Sequence, residues 1–285
     1  MAKLKDMSTD PFVSTEWLQT RLHDPRVAII DGSWFLPAAG RNPRQEFVAG
    51  HIPGAVYFDI DDVADKSTNL PHMLLGPEAF GRQVGALGIG DGMTIVVYDE
   101  AGLFSAPRVW WEFLTMGATD VRLLEGGGPK WRAEKRPLET GEARPKPRTF
   151  TAQFHPELVR DFDQVKQALR NGQQIADARP AGRFAGRDPE PRPNLPSGHM
   201  PGARSIPSSD LVADGRLKPV AELKAIFDRV GVALDKPVIT SCGSGVTASL
   251  LMLALRQAGA RDVAVYDGSW AEWGAHPGAE IVSDN

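Results

Sequence analysis

The sequence predicts an α/β protein made of two copies of one domain, each a mostly parallel sheet flanked by helices on both faces. Two observations carry this. Five sequence blocks recur in the same order, with copies 142 to 148 residues apart. Within each copy, short β-branched runs alternate with helical stretches over short links, as in βα units. The length of 285 residues suits two ordinary domains.

The first block is an apolar run ending in Asp: Val27-Ala28-Ile29-Ile30-Asp31, then Gln174-Ile175-Ala176-Asp177. The second is Gly50-His51-Ile52-Pro53-Gly54-Ala55, which returns as Gly198-His199-Met200-Pro201-Gly202-Ala203. Thr94-Ile95-Val96-Val97-Tyr98-Asp99 is matched by Pro237-Val238-Ile239-Thr240-Ser241-Cys242. Gly117-Ala118-Thr119-Asp120-Val121 is matched by Gly259-Ala260-Arg261-Asp262-Val263, and both copies close on a glycine turn and a Trp, at 126–131 and 268–273. Repetition at so steady a spacing reads as duplication.

In the second copy the strands fall near 174–178, 203–207, 237–241 and 262–266, and the helices near 180–187, 219–230 and 246–258. Pro77 and Pro219 sit where first helical positions are expected. The Pro-rich, charged stretch from Arg132 to Pro156 reads as a connection running over one domain's surface. The expected organisation is a domain over 1–140, a linker over 141–156 and a second domain over 157–285.

With 32 basic and 36 acidic residues the net charge is −4, which argues against a general nucleic-acid or membrane-surface role. No run of about 18 apolar residues occurs; Val246–Leu255 is interrupted by Thr247 and Ser249. The N-terminal stretch is polar and lacks the apolar core of a secretory signal, so a cytoplasmic protein is expected. The sole cysteine, Cys242, excludes an intramolecular disulfide and any metal site built on several thiolates.

Cys242 ends an apolar strand and opens Gly243-Ser244-Gly245-Val246-Thr247, followed by a helical run. Ligands of open α/β sheets bind beyond the carboxyl ends of strands. A glycine loop running into a helix N-terminus offers backbone N–H groups and a positive dipole end, which stabilise a thiolate. Three other chemistries are disfavoured. Gly243-x-Gly245-x-x-Ala248 fits a dinucleotide fingerprint with Asp267 as ribose partner, but only one βα unit follows it. A cysteine phosphatase loop needs Arg where Ala248 stands. A serine hydrolase elbow fails because Cys242 occupies the first glycine position around Ser244.

The paired Gly-His-x-Pro-Gly-Ala blocks and the terminal cysteine loop resemble the tandem rhodanese-domain sulfurtransferases, from about Val13 to the C-terminus. The loop Cys242–Thr247 is similar to that of the 3-mercaptopyruvate sulfurtransferases, whereas the thiosulfate enzymes carry basic residues inside it. The fold implied is two tandem rhodanese-like domains. The activity implied is transfer of the sulfur of 3-mercaptopyruvate through a Cys242 persulfide, releasing pyruvate, with no cofactor and no metal. The loop residues Gly243, Gly245, Val246 and Thr247 would line the donor site. Arg183 and Arg192, in a segment resembling the family's substrate-reading stretch, would grip the keto acid. Ser244, His72 and Asp61 match the family's serine, histidine and aspartate near the sulfur. His72 and Asp61 belong to the first copy, so the resemblance implies a site between the copies, with His72 polarising Ser244 and Asp61 fixing the histidine tautomer. His51 and His199, present in both repeated turns, read as structural. By the repeat offset Glu100 falls opposite Cys242, and a carboxylate there cannot take up sulfur, so the first domain reads as noncatalytic. The acceptor implied is thioredoxin, cyanide or a small thiol. The alternatives are a thiosulfate:cyanide sulfurtransferase and a noncatalytic sulfur carrier.

Overall fold

The computed structural model describes residues 10–284. Most of the polar N-terminal stretch read above lies outside them. The chain forms two compact units. One comprises the chain through Val63, with Leu75–His155 and Asp214–Arg216; the other comprises Ala64–Leu74, Pro156–Ala213 and the chain from Leu217 on.

The first unit has strands β1 (Phe12–Val13), β2 (Val27–Asp31), β3 (Ala55–Tyr57), β4 (Thr94–Tyr98) and β5 (Val121–Leu124). They form one sheet in the order β1-β5-β4-β2-β3, and every pairing is parallel. Its helices are α1 (Thr15–Gln19), α2 (Pro43–Ala49), α3 (Pro77–Ala86), α4 (Ala106–Thr115) and α5 (Gly127–Ala133). Pro77 is the first residue of α3, where its missing N–H costs no hydrogen bond. The sheet is pinned to its helices by Phe47, Tyr57, Tyr98 and Trp131.

Part of the stretch read as linker is built into this unit. Arg148 N donates to Gly85 O at 2.9 Å, and Phe150, 8% exposed, packs edge-on against Phe80 and Phe113. Phe150 is the one buried residue between 141 and 157, an aromatic anchor in a strip that is otherwise exposed or half-buried.

The second unit repeats the plan. Its strands are β6 (Val159–Arg160), β7 (Gln174–Asp177), β8 (Arg204–Ser205), β11 (Val238–Ser241) and β12 (Val263–Tyr266), in the order β6-β12-β11-β7-β8 and all parallel. In sequence between β8 and β11 lies a small hairpin, β9 (Val212–Ala213) and β10 (Arg216–Leu217), which turns on Asp214-Gly215, both at positive φ; its tip, Asp214–Arg216, belongs to the first unit. An Asp-Gly pair of this kind closes a two-residue hairpin turn. The helices are α6 (Phe162–Arg170), α7 (Ala181–Phe184), α8 (Val220–Arg229), α9 (Val246–Gln257) and α10 (Ser269–Trp273). Pro219 caps α8 from the position before its first residue. Helix α6 opens on a capping box of Asp161 and Gln164. The sheets and their flanking helices are the α/β architecture that the alternating pattern predicts.

The repeated turns hold each unit in the same way. His51 Nδ1 lies 2.7 Å from Phe47 O and the ring stacks on Phe47 at 3.9 Å. His199 Nδ1 lies 2.9 Å from Phe184 O and stacks on Phe184 at 3.9 Å. Both histidines are buried structural residues. No helix among the described residues is long and apolar enough to cross a membrane.

Candidate active site

Strand β11 runs through the middle of its sheet and is buried throughout. Its carboxyl end delivers Cys242, which is 2% exposed. Gly245, at φ 80°, turns the chain into α9, whose first amides have no intrahelical acceptor. The loop is clamped from α10. Trp270 N donates to Cys242 O at 2.9 Å and Ala271 N to Gly243 O at 2.9 Å. Ser269 Oγ accepts from Cys242 N at 3.2 Å and from Gly245 N at 3.1 Å. Ser244 and Val246 are buried, and Gly243 and Thr247 are half-buried.

Two arginines converge on this loop. A Cβ at Gly243 would lie 3.2 Å from Arg183 Nη2 and 3.7 Å from Arg192 Nη1. The bare glycine next to Cys242 is therefore what lets both guanidinium groups approach. Arg183 is held from behind by Glu190, whose Oε2 accepts from its Nε at 3.1 Å and also from its Nη2. Glu190 Oε1 accepts from Arg179 Nη1 at 2.7 Å. Arg179 is fully buried, bonded to Asp177 through Nε and Nη2, donating to Gly198 O at 2.7 Å, and lying 4.0 Å over the Trp270 ring. Burial works against its charge, but Asp177 and Glu190 outweigh that and keep its pKa above the usual arginine value. Arg183, backed by the buried Glu190 carboxylate, and Arg192 both face the glycine loop, and two guanidinium groups so placed suit a small carboxylate ligand.

His72 packs with the second unit in the segment Ala64–Leu74. It is 4% exposed and sits at φ 60°, a left-handed conformation costly for a non-glycine residue. The segment is tied by Leu74 N donating to Asp267 Oδ2 at 2.7 Å. Asp61 lies in the first unit, where Trp34 Nε1 donates to its Oδ2 at 2.8 Å.

The sheet register corrects one expectation. Asp31 pairs with Tyr98 in the first sheet, and Asp177 pairs with Ser241 in the second. The residue after Tyr98 is Asp99, so Asp99 and not Glu100 stands where Cys242 stands. A matching bond agrees: Gly128 N donates to Asp99 O at 3.0 Å, as Trp270 N does to Cys242 O. The Asp99 carboxylate accepts from five amides of its own loop, those of Ala101, Leu103, Phe104, Ser105 and Ala106, at 2.7 to 3.0 Å. The first loop is thus an anion cradle filled by its own side chain.

Sequence reasoning passes over Glu190 and Ser269. For Glu190 there is no periodic signal, only its place between Arg183 and Arg192. For Ser269 the signal is the repeat itself, because the first copy has Gly127 there.

The chain is similar to known proteins over most of its length. The family model described as Rhodanese-like domain matches residues 14–134 and 161–276. The 3-mercaptopyruvate sulfurtransferase of Escherichia coli is 46% identical, the match covering 94% of this chain and 96% of that protein. The human 3-mercaptopyruvate sulfurtransferase is 41% identical, covering 92% and 91%. The crystal structure of an E. coli 3-mercaptopyruvate sulfotransferase superposes with a TM-score of 0.84 at 44% identity, covering 92% of this chain and all of that one.

Proposed function

Since this chain belongs to the rhodanese-like domain family, we propose that it is a sulfurtransferase that draws sulfur from 3-mercaptopyruvate through a Cys242 persulfide and releases pyruvate. The observation that carries the donor assignment is the meeting of Arg183 and Arg192 at Gly243, beside Cys242.

The Cys242 thiolate attacks the thiol sulfur of the donor and its C–S bond breaks. The electron pair leaves on carbon, where the adjacent carbonyl holds it as an enolate, and a proton completes pyruvate. The outer sulfur stays on Cys242 as a persulfide, whose negative charge the loop amides and the α9 N-terminus stabilise. Arg183 and Arg192 hold the carboxylate and carbonyl, so that the thiol meets Cys242. Gly245, Val246 and Thr247 supply the backbone wall of that pocket. Ser244 relays the proton with His72, a role supported by the burial of both side chains in the second unit. Asp61 rests on the family resemblance, as the residue that orients His72. The domain limits 1–140 and 157–285, with the catalytic domain second, belong to the same proposal. An external nucleophile, thioredoxin, cyanide or a small thiol, then takes the outer sulfur in a ping-pong cycle. No other cysteine exists in the sequence to resolve the persulfide internally. A cytoplasmic setting is supported by that single free thiol.

One Arabidopsis thaliana relative, 42% identical, is named a thiosulfate/3-mercaptopyruvate sulfurtransferase, so thiosulfate is the donor to compare. Thiosulfate brings a dianionic sulfonate next to its transferable sulfur, and this loop carries no cationic side chain of its own to receive it. Steady-state kcat/KM for both donors, with cyanide as acceptor, tests the assignment. Mercaptopyruvate is expected to be preferred at least tenfold, a difference of ~1.4 kcal/mol. Equal use, or a thiosulfate preference, overturns it.

A further inference from the structure

The two copies differ at one left-handed backbone position: the first has Gly127, where a Cβ would lie 2.6 Å from Asp99 O, and the second has a serine. Ser269 precedes Trp270, whose N–H holds Cys242 O, and Gly127 precedes Gly128, whose N–H holds Asp99 O. The two residues are therefore equivalent, and both are left-handed, at φ 48° for Ser269 and 57° for Gly127. Glycine adopts that conformation freely and serine does not. The second copy keeps the strained residue, fully buried. Its hydroxyl donates to Tyr266 O at 2.8 Å and accepts from Cys242 N and Gly245 N, at the two ends of the loop.

We propose that Ser269 is a positioning residue for Cys242, stapling the ends of its loop from outside the reacting centre. The first copy shows why an outside staple is needed. There the Asp99 carboxylate holds the loop from within by accepting from its amides. At Cys242 the side chain must stay free to bond sulfur, so it cannot also serve as the brace. Ser269 takes over the bracing by binding Cys242 N and Gly245 N. The amides between and beyond them remain for the sulfur. The strain is kept because only a hydroxyl at this backbone position reaches both ends.

The proposal rests on the sulfurtransferase reading, and wild type, Ser269→Gly and Ser269→Ala separate the two. Wild type that yields no pyruvate from mercaptopyruvate sinks the reading itself. With wild type active, both variants are expected to lose kcat about tenfold or more while KM moves less than about threefold, because the arginines that hold the donor are untouched. Both should also slow alkylation of Cys242 by iodoacetamide, a readout that needs no donor. Thermal melting should separate them: Ser269→Gly relieves the strain and melts above Ser269→Ala. Activity then follows the hydroxyl while stability follows the backbone. A Gly variant with wild-type kcat overturns the proposal, as does a kcat that rises and falls with melting temperature across the set. Should the Ala chain fail to fold, the kcat and alkylation rate of Ser269→Gly decide alone.

Discussion

At the scale of single residues, the duplication sets matched positions side by side. Asp31 and Asp177 end equivalent strands and are both buried, yet their partners differ. Asp177 meets the Arg179 guanidinium, whereas the residue in that place near Asp31 is Ser33, whose N–H and Oγ both donate to Asp31 Oδ1. Without a cation, burial pushes the Asp31 carboxyl up to about 7, against the hydrogen bonds from Ser33. The folded-state pKa lies above the unfolded value of 3.8, so the folded chain keeps its proton longer. The contribution to stability is full below the unfolded pKa and is lost as pH rises through about 7. Its upper limit is on the order of 4 kcal/mol. Asp31→Asn should flatten the fall in melting temperature between pH 4 and pH 8; an unchanged slope would refute this origin.

At the scale of elements, the site is a strand end, a glycine loop and a helix start, and these were legible because each leaves a pattern. Strands β7, β11 and β12 and helix α9 fall within a residue or two of where apolar runs place them. Elements of two residues, such as β6 and the β9–β10 hairpin, are too short for any period to reveal them. A constant offset puts Glu100 in the place of Asp99 because the spacing between the copies shifts by a residue along the chain, whereas parallel strand pairing fixes the register directly. The bracing of Arg183 by Glu190 depends on side chains meeting across a loop, which no linear spacing encodes. The convergence on Gly243 yields a prediction. Its backbone is not left-handed, so alanine is conformationally acceptable, and its cost comes from crowding Arg183 and Arg192. Gly243→Ala should raise KM for mercaptopyruvate about tenfold, ~1.4 kcal/mol, and leave the melting temperature nearly unchanged. A KM equal to wild type would mean that the arginines do not need that approach.

For the whole molecule, two sheets of identical strand order, two histidine turns stacked on phenylalanine, and two loops at equivalent strand ends record one domain used twice. An arginine on the carbonyl of the repeated turn recurs by a different route, buried in the second unit and part-exposed in the first. Arg179 donates to Gly198 O in the second unit, and in the first unit Arg132, from α5, donates to the matching Gly50 O while pairing with Glu100. The copies conserve the contact and exchange the residue that makes it. The loops themselves differ, because in the first copy the Asp99 carboxylate accepts from the amides of its own loop, where the second copy has Cys242. The protein should accordingly take up one sulfur per chain, although its fold offers two equivalent loops. The direct test is the intact mass of the protein after incubation with 3-mercaptopyruvate and removal of the donor. A gain of about 32 Da, one sulfur atom, reversed by cyanide and absent in Cys242→Ser, is the expected result. No gain in wild type, or the same gain in Cys242→Ser, would contradict the persulfide route.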